Sequence, residues 1–448
     1  MTEPCRASTE VHRRALLGLL VVLAGMPGCG EFRSHRKALE RLADEGRYEE
    51  AAATLDEGRK RYRNDELLWH LDRGAVALAM DDDDATIEHL ETAERMIDLK
   101  REASPDEVVA TWLVGETAKP YVAEPYEDIY VNVLKLLAQL EAGRIIGGAT
   151  VEARRLAWKS DHLRDLHQEW AGELSEASRK RIGSEARGAG RYTEHEGEFI
   201  ESPLGTYLAA VAFMEAGEWN MQEVAARRLL DSIEREGALI GPVDASAFEN
   251  LETMSSDDAD LLVVALSGRG PTKVADHVGP IVIYTVPIYF ELPRMVTHPS
   301  EVAGAALEVE NVGEFELALV EDMSRVATEN HKRYLPLIYT RTMLRAAAKA
   351  TGTAVAAGAA HNSDNDLAAI GIVLGGLLLM AATEQADLRC WTFLPGEARV
   401  ALIDAPAGVH RVRTVYRGAG GGTVHTTEWR DVEIRERGLS TLVEHYWR

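Results

Sequence analysis

A chain of 448 residues suffices for two or three domains, and 46% hydrophobic with 27% charged residues is the balance of a globular protein with a sizeable core. Its 73 acidic against 49 basic side chains give a formal net charge of −24. That excludes general nucleic-acid binding, which needs a basic face against the phosphates, and the composition equally excludes a disordered chain or a polytopic membrane protein.

At the N-terminus Arg13 and Arg14 precede an apolar run of ten residues, Ala15 to Ala24. A bilayer span takes about 20 such residues, so the run reads as the core of an export signal. Gly25-Met26-Pro27-Gly28-Cys29-Gly30 then resembles a bacterial lipobox, in which the cysteine thiol is lipidated. The expectation is a signal peptide over 1–28, a lipidated linker over 29–35 and an anchor at Cys29, with an ordinary cleaved signal or an uncleaved anchor as the alternatives. Gly30 after the cysteine favours the outer membrane, by resemblance to enterobacterial sorting. Cys5 would leave with the signal, so Cys390 would be the one remaining thiol and no internal disulfide could form. Within Arg389-Cys390-Trp391 it is expected as a small buried apolar residue, not a nucleophile.

Helix-pair signals recur over 36–235. Gly46-Arg47-Tyr48-Glu49-Glu50-Ala51 lies between two apolar-periodic segments. It resembles the turn and second helix of a tetratricopeptide repeat, where small residues let helices approach and an aromatic wedges between them. Asp81, Asp83, Thr86 and Ala93 take the corresponding places 35 residues on. Glu127 to Ala142 is amphipathic and leads through a Gly-rich turn to Ala149–Leu163; a fourth pair spans Leu204–Glu215 and Asn220–Glu234. Four helix pairs are expected, with Gly46, Tyr48, Ala51, Gly217 and Trp219 as packing residues. The run Asp81 to Asp84 is expected as a solvated loop, not a metal site. Glu173 to Glu198 should be a loop or exposed helix, and its His195-Glu196 lacks the second histidine of a zinc protease.

From Asp260 the chemistry turns to strands. Leu261–Leu266 and Ile281–Leu292 are rich in β-branched and aromatic residues, and the Gly-rich Ser267–Lys273 between them lacks P-loop spacing. A long helix is expected over Glu316–Ala350, broken or kinked at Pro336. Leu367–Ala382 is sixteen residues without a charge, expected as a buried or membrane-surface helix rather than a span; the preceding His361–Asp366 lacks the later ligands of a calcium loop. Arg399–Ile403, Gly408–Arg417 and Thr423–Ile434 alternate apolar and polar residues between Gly-rich turns. The fold expected is α+β: a tetratricopeptide-like array over 36–235, a mixed strand and helix domain over 260–385, and a small antiparallel β domain over 386–448.

Gly46-x-Tyr48-Glu49-Glu50-Ala51, Val151-Glu152-Ala153-Arg154-Arg155, Leu319-Val320-Glu321-Asp322 and Thr383-Glu384-Gln385-Ala386-Asp387-x-Arg389-x-Trp391-x-x-Leu394-Pro395 together resemble a family of bacterial lipoproteins with tetratricopeptide-like repeats. The resemblance implies an envelope lipoprotein without an assigned reaction. Glu384, Asp387 and Arg389 are expected as a structural ion-pair cluster. No nucleophile, metal set or cofactor motif stands out, so the expectation is a non-enzymatic scaffold. It would bind a protein or peptide partner through its helices, with an accessory subunit of envelope assembly or export machinery as the alternative and a cell-wall-active enzyme behind both.

Overall fold

The computed structural model describes residues 29–59, 65–101, 120–181, 200–283, 286–361 and 385–448. It is 51% helix and 25% strand, so the α+β class holds. Among the described residues eight helices come first: α1 (Cys29–Asp44), α2 (Tyr48–Arg59), α3 (Glu66–Leu78), α4 (Asp83–Arg101), α5 (Pro125–Glu141), α6 (Thr150–Arg181), α7 (Pro203–Glu215) and α8 (Trp219–Ile240). Successive helices pack on one another, α1 on α2, α3 on α4, α5 on α6 and α7 on α8.

The four turns inside these pairs share one geometry. Gly46, Asp81, Gly143 and Gly217 all have positive φ, between 56° and 69°. In each turn that residue donates its N–H to the carbonyl three residues back, and the next residue donates to the carbonyl five back, as in Gly217 to Met214 and Glu218 to Phe213. This pair of hydrogen bonds satisfies carbonyls that a helix C-terminus would otherwise leave open, and glycine suits it because no Cβ opposes the left-handed turn. Asp81 adopts the same conformation with a side chain. Asp81→Gly is therefore expected to stabilise the fold by up to about 1 kcal/mol, its exposed pairing with Arg430 contributing little. A urea midpoint that stays put or falls, at unchanged m-value, would refute this.

Burial sorts the helices into layers. α5 and α7 are buried on nearly every side, whereas α2, α4, α6 and α8 alternate buried and exposed positions and form the outer surface. At Gly205 in α7 a Cβ would sit 2.6 Å from Leu156 and 2.8 Å from Val133, so α5, α6 and α7 meet where only a hydrogen fits.

A sheet covers the other side of the inner helices. Its strands are β1 (Leu261–Arg269), β4 (Gly304–Val309), β5 (Gly313–Asp322), β6 (Pro395–Ile403), β7 (Gly408–Arg417), β8 (Thr423–Thr426), β9 (Arg430–Ile434) and β10 (Ser440–Tyr446). The order is β10-β1-β6-β5-β4-β7-β8, with β9 also on β7, and the sheet curls into a half-barrel. All pairings are antiparallel except β1 with β10, where Leu261 lies opposite Ser440. Leu262, Val264 and Leu266 join the helical core, while Leu261, Val263 and Ala265 join a second core inside the half-barrel with Val412, Tyr416 and Leu442. Burial on both faces explains the unbroken apolar run of β1.

Several expectations need correcting. Residues 386–448 do not form a separate sheet: β6 to β10 interleave with β1, β4 and β5, because β1, buried between two cores, must pair its backbone N–H and C=O groups on both edges and finds β6 and β10 there. Glu316–Asp322 is strand β5, not helix; α9 (Met323–His361) starts only where Asp322 accepts the Arg325 N–H at 2.9 Å, and it runs through Pro336 without ending. Ile281–Leu292 is not one strand but belongs to a hairpin, β2 (Thr272–Ile283) with β3 (Val286–Val296), which pairs Ile281 with Ile288 and packs on α9. Thr423–Ile434 divides into β8 and β9. Residues 1–28 and 367–382 lie outside the described residues. Among the described residues no helix is long and apolar enough to cross a membrane.

Candidate functional site

Helix α5 is the hub of the buried polar chemistry. On one side Lys135 reaches Glu94 at 2.8 Å and Glu152 at 3.0 Å, while Lys159 reaches Glu94 at 2.9 Å and Asp128 at 2.7 Å. Asn132 donates to both Glu94 and Glu152, and Arg155 closes the set from the surface. Three carboxylates face three cations, so the group is neutral as a whole. Burial alone would raise the Glu94 carboxyl, but the Lys159 and Lys135 charges outweigh it and hold it at about 2.

On the other side α5 meets the C-terminal half. Glu124, just before the helix, pairs with Lys273 of β2 and with His331 Nδ1 of α9 at 2.7 Å. His331 Nε2 faces the Pro293 carbonyl at 3.1 Å, so both ring nitrogens look at oxygen acceptors. Burial opposes the Glu124 charge, yet His331 and Lys273 hold it at about 2. Glu127 accepts from the Tyr121 hydroxyl at 2.5 Å, the Glu124 N–H at 2.8 Å and the Trp391 N–H at 2.9 Å, and burial pushes its carboxyl up.

Trp391 belongs to a strap, 386–394, laid across α3 and α5. Arg389 grips Asp387 and, at 2.5 Å, Asp65. Asp72 accepts the Thr392 and Phe393 N–H groups at 2.8 and 3.1 Å, and burial lifts its carboxyl to about 7 against those two donors. Cys390 is fully buried here, and burial pushes its thiol to about 11, which makes it a packing residue in a cluster rich in charge. Further along, Glu321 of β5 binds α5 and α7 together, accepting from Tyr130 at 2.5 Å, Ser202 at 2.6 Å and the Leu204 N–H at 2.8 Å. Every carboxylate in these clusters is engaged by neighbours in the chain, which is the chemistry of a joint.

Open space lies elsewhere. A cavity of about 40 Å³ between α1, α2 and α3, lined by Arg36, Leu39, Gly58, Trp69 and Thr392, holds little more than one water. A cleft of about 190 Å³ at the start of α9 brings together His298, Ser300, Asp322, Ser324 and Glu397. There Asp322 caps its helix and Glu397 pairs with Arg399 at 2.7 Å. Among the described residues no group of three or more His, Cys, Asp or Glu side chains could hold a metal ion.

The outer helices carry a different feature. Ile146, in the turn before α6, is 84% exposed, and Val151 and Trp158 follow on one face of α6 at 41% and 61%. Trp158 stacks on His162 at 5.2 Å, which fixes the indole plane. Trp219 and Val224 at the start of α8 are 56% and 54% exposed. Arg154 pairs with Glu218, and Arg228 with Asp161 at 3.0 Å, tying the two helices side by side.

The sequence-predicted residues are therefore dispersed. Cys29 is the first residue of α1. Gly46 and Gly217 sit in turns, Ala51 is fully buried, and Tyr48 packs half-buried at the start of α2, where burial, with Asp44 nearby, lifts its hydroxyl to about 12. Trp219 does not wedge between helices; as the first residue of α8 it projects outward, a correction that the turn preceding it explains. Asp81–Asp84 caps α4, with Asp82 accepting the Ala85 N–H at 3.0 Å. His195 and Glu384 lie outside the described residues. Sequence reasoning missed both buried clusters, although charged Glu127, Asp128 and Lys135 inside an otherwise apolar helix were the available signal. Comparison of the chain with protein-family models, with curated proteins and with solved structures finds no match in any of the three.

Proposed function

We propose that this chain is a lipid-anchored scaffold of the cell envelope, held at Cys29 and binding protein through its outer helical face. The four helix pairs with one turn geometry support a tetratricopeptide-like array. In such an array the inner helices commonly receive the partner. Here the β-sheet, α9 and the strap already cover α3, α5 and α7. The outer face is what remains, and the observation that carries the reading is the cluster of exposed apolar side chains on α6 and α8. Large exposed aromatics held rigidly at the centre of a patch are the usual anchors of protein interfaces. A cell-wall-active enzyme is the second reading, favoured by the Asp322–Glu397 cleft; it ranks behind because both carboxylates already serve the fold.

The test uses full-length protein in its own cells. Cys29→Ala should release it from membranes, and a photo-cross-linking residue at position 158 should form a discrete protein adduct that the same residue at Arg95, exposed on α4, does not. Retention of the alanine variant would sink the anchor, and equal adducts at both positions would sink the docking face.

A further inference from the structure

We propose that His70 of α3 and His89 of α4 form a binding site for a divalent transition-metal ion of the zinc class, which clips the two helices together. The site lies away from α6 and α8 and does not depend on what those helices bind.

The geometry begins with a close helix approach. His70 lies in the second turn of α3 and His89 in the second turn of α4. At Gly74, one turn on from His70, a Cβ would sit 2.6 Å from Leu90, the neighbour of His89, and the Thr86 hydroxyl donates to the Gly74 carbonyl at 3.3 Å. With the helices this near, Nδ1 of His70 and Nδ1 of His89 stand 3.2 Å apart. Two nitrogens bound at about 2.0–2.1 Å to one tetrahedral ion are about 3.3 Å apart, so the pair already has the bite of two zinc ligands. Trp69 packs T-shaped on both rings, with centroids 4.7 and 5.1 Å away, and keeps the two side chains together. Without metal the contact is a hydrogen bond that carries one Nδ1 proton. When the ion enters, that proton moves to Nε2 of the same ring, both Nδ1 lone pairs turn to the ion, and no proton is lost. The ion sits off the line joining the nitrogens, so the rings tilt towards it. His89 is only half-buried, and water fills the remaining positions from its open side.

The surroundings favour the ligating form of both rings. Arg59, Arg73 and Arg95 stand near them and are matched by Asp56, Glu66 and Glu88, drawn from α2, α3 and α4. Arg59 pairs with Glu66 at 2.9 Å and Arg73 with Asp56 at 3.2 Å, so the field at the site is close to neutral. Burial, followed by the neighbouring His89 and Arg59, lowers His70 to about 4; burial, followed by Arg73, lowers His89. A metal takes a neutral imidazole, and protons compete for these two less than for histidines in water. Two protein ligands with water completing the sphere give a micromolar, exchangeable site, not a permanent structural one.

Isothermal titration of zinc chloride into the untagged, full-length protein should show a micromolar site, and zinc should raise the melting temperature. His70→Gln and His89→Gln, which keep a hydrogen-bonding side chain, should each weaken binding at least tenfold and abolish the thermal shift. His277→Gln, at an exposed histidine of β2, should change neither. Between about pH 7.5 and 6 the affinity should hold within about twofold, where a pair of ordinary histidines would lose far more to protonation. Should His70→Gln fail to fold, His89→Gln at the half-buried ring decides alone. Binding no tighter than millimolar overturns the inference. Micromolar binding that survives His89→Gln overturns it as well, because the ion would then be held by other residues.

Discussion

Glu94→Ala is expected to cost the fold about 3–5 kcal/mol, the effect of breaking a buried ion pair and leaving a partner charged. The loss is larger than that of a lone salt bridge because Glu94 serves two lysines that have almost no access to water. Removing it leaves Lys135, Lys159 and Arg155 to share Glu152 and Asp128, one positive charge in excess, with each buried lysine reduced to a single carboxylate. Replacing Glu94, Asp128, Lys135 and Lys159 together by apolar side chains of similar volume, which leaves Glu152 paired with Arg155, should recover much of the loss, since matched apolar side chains avoid the desolvation cost altogether. Urea denaturation of the single and quadruple variants checks both statements. A single variant within about 1 kcal/mol of the parent would mean that water reaches the cluster.

Stability should fall as pH rises from about 5 to 9. Burial lifts the Glu321 carboxyl to about 7, outweighing its three hydrogen-bond donors, and lifts Asp72 to about 7. Burial, with Asp83 adding to it at Glu141, also pushes up the Asp83–Glu141 pair between α4 and α5. The native state therefore keeps protons that the unfolded chain has shed, and the stability present below the unfolded carboxyl range is lost as pH passes through the folded values. For Glu321 alone a rise from 4.5 to about 7 corresponds to roughly 3 kcal/mol. Glu94 and Glu124, held at about 2, act oppositely: their stability is complete above the ordinary range and is lost as pH falls from about 4.5 towards 2. The optimum should thus sit near pH 4–5. Glu321→Gln should make the decline between pH 6 and 9 shallower. An unaltered slope of melting temperature against pH would assign the effect to the other carboxyls.

How far the sequence could be read follows from where its signals are local. The helices of the first half were legible because their apolar period and the glycines at their ends act within a few residues. β1 was legible because it is apolar throughout. The sheet order was not, since a strand's sequence carries its propensity and faces but not the identity of its neighbours. Glu316–Asp322 reads as the start of the long helix, and its pairing with β4 and β6 makes it a strand instead. The amphipathic reading of Glu127–Ala142 found the helix and misplaced its polar face, which points into two ionic clusters instead of water. Partners such as Glu94 or Lys273 lie too far along the chain to be paired by inspection. The exposed Trp158 was equally hidden, because spacing alone does not say which face of an outer helix is covered.

The parallel pairing of β1 with β10 has a kinetic consequence. β1 lies between β6 and β10, whose residues come more than 120 and about 180 positions later in the chain. Both neighbours must be recruited across long loops, and each closure costs entropy before its hydrogen bonds form. Until then an apolar strand has both edges and both faces open. The sheet should therefore form slowly and late, after the helix pairs of the first half, whose contacts are local. Under the proposed export of the chain, that delay would keep it threadable; on refolding from denaturant at high concentration, it makes β1 the segment from which aggregation starts.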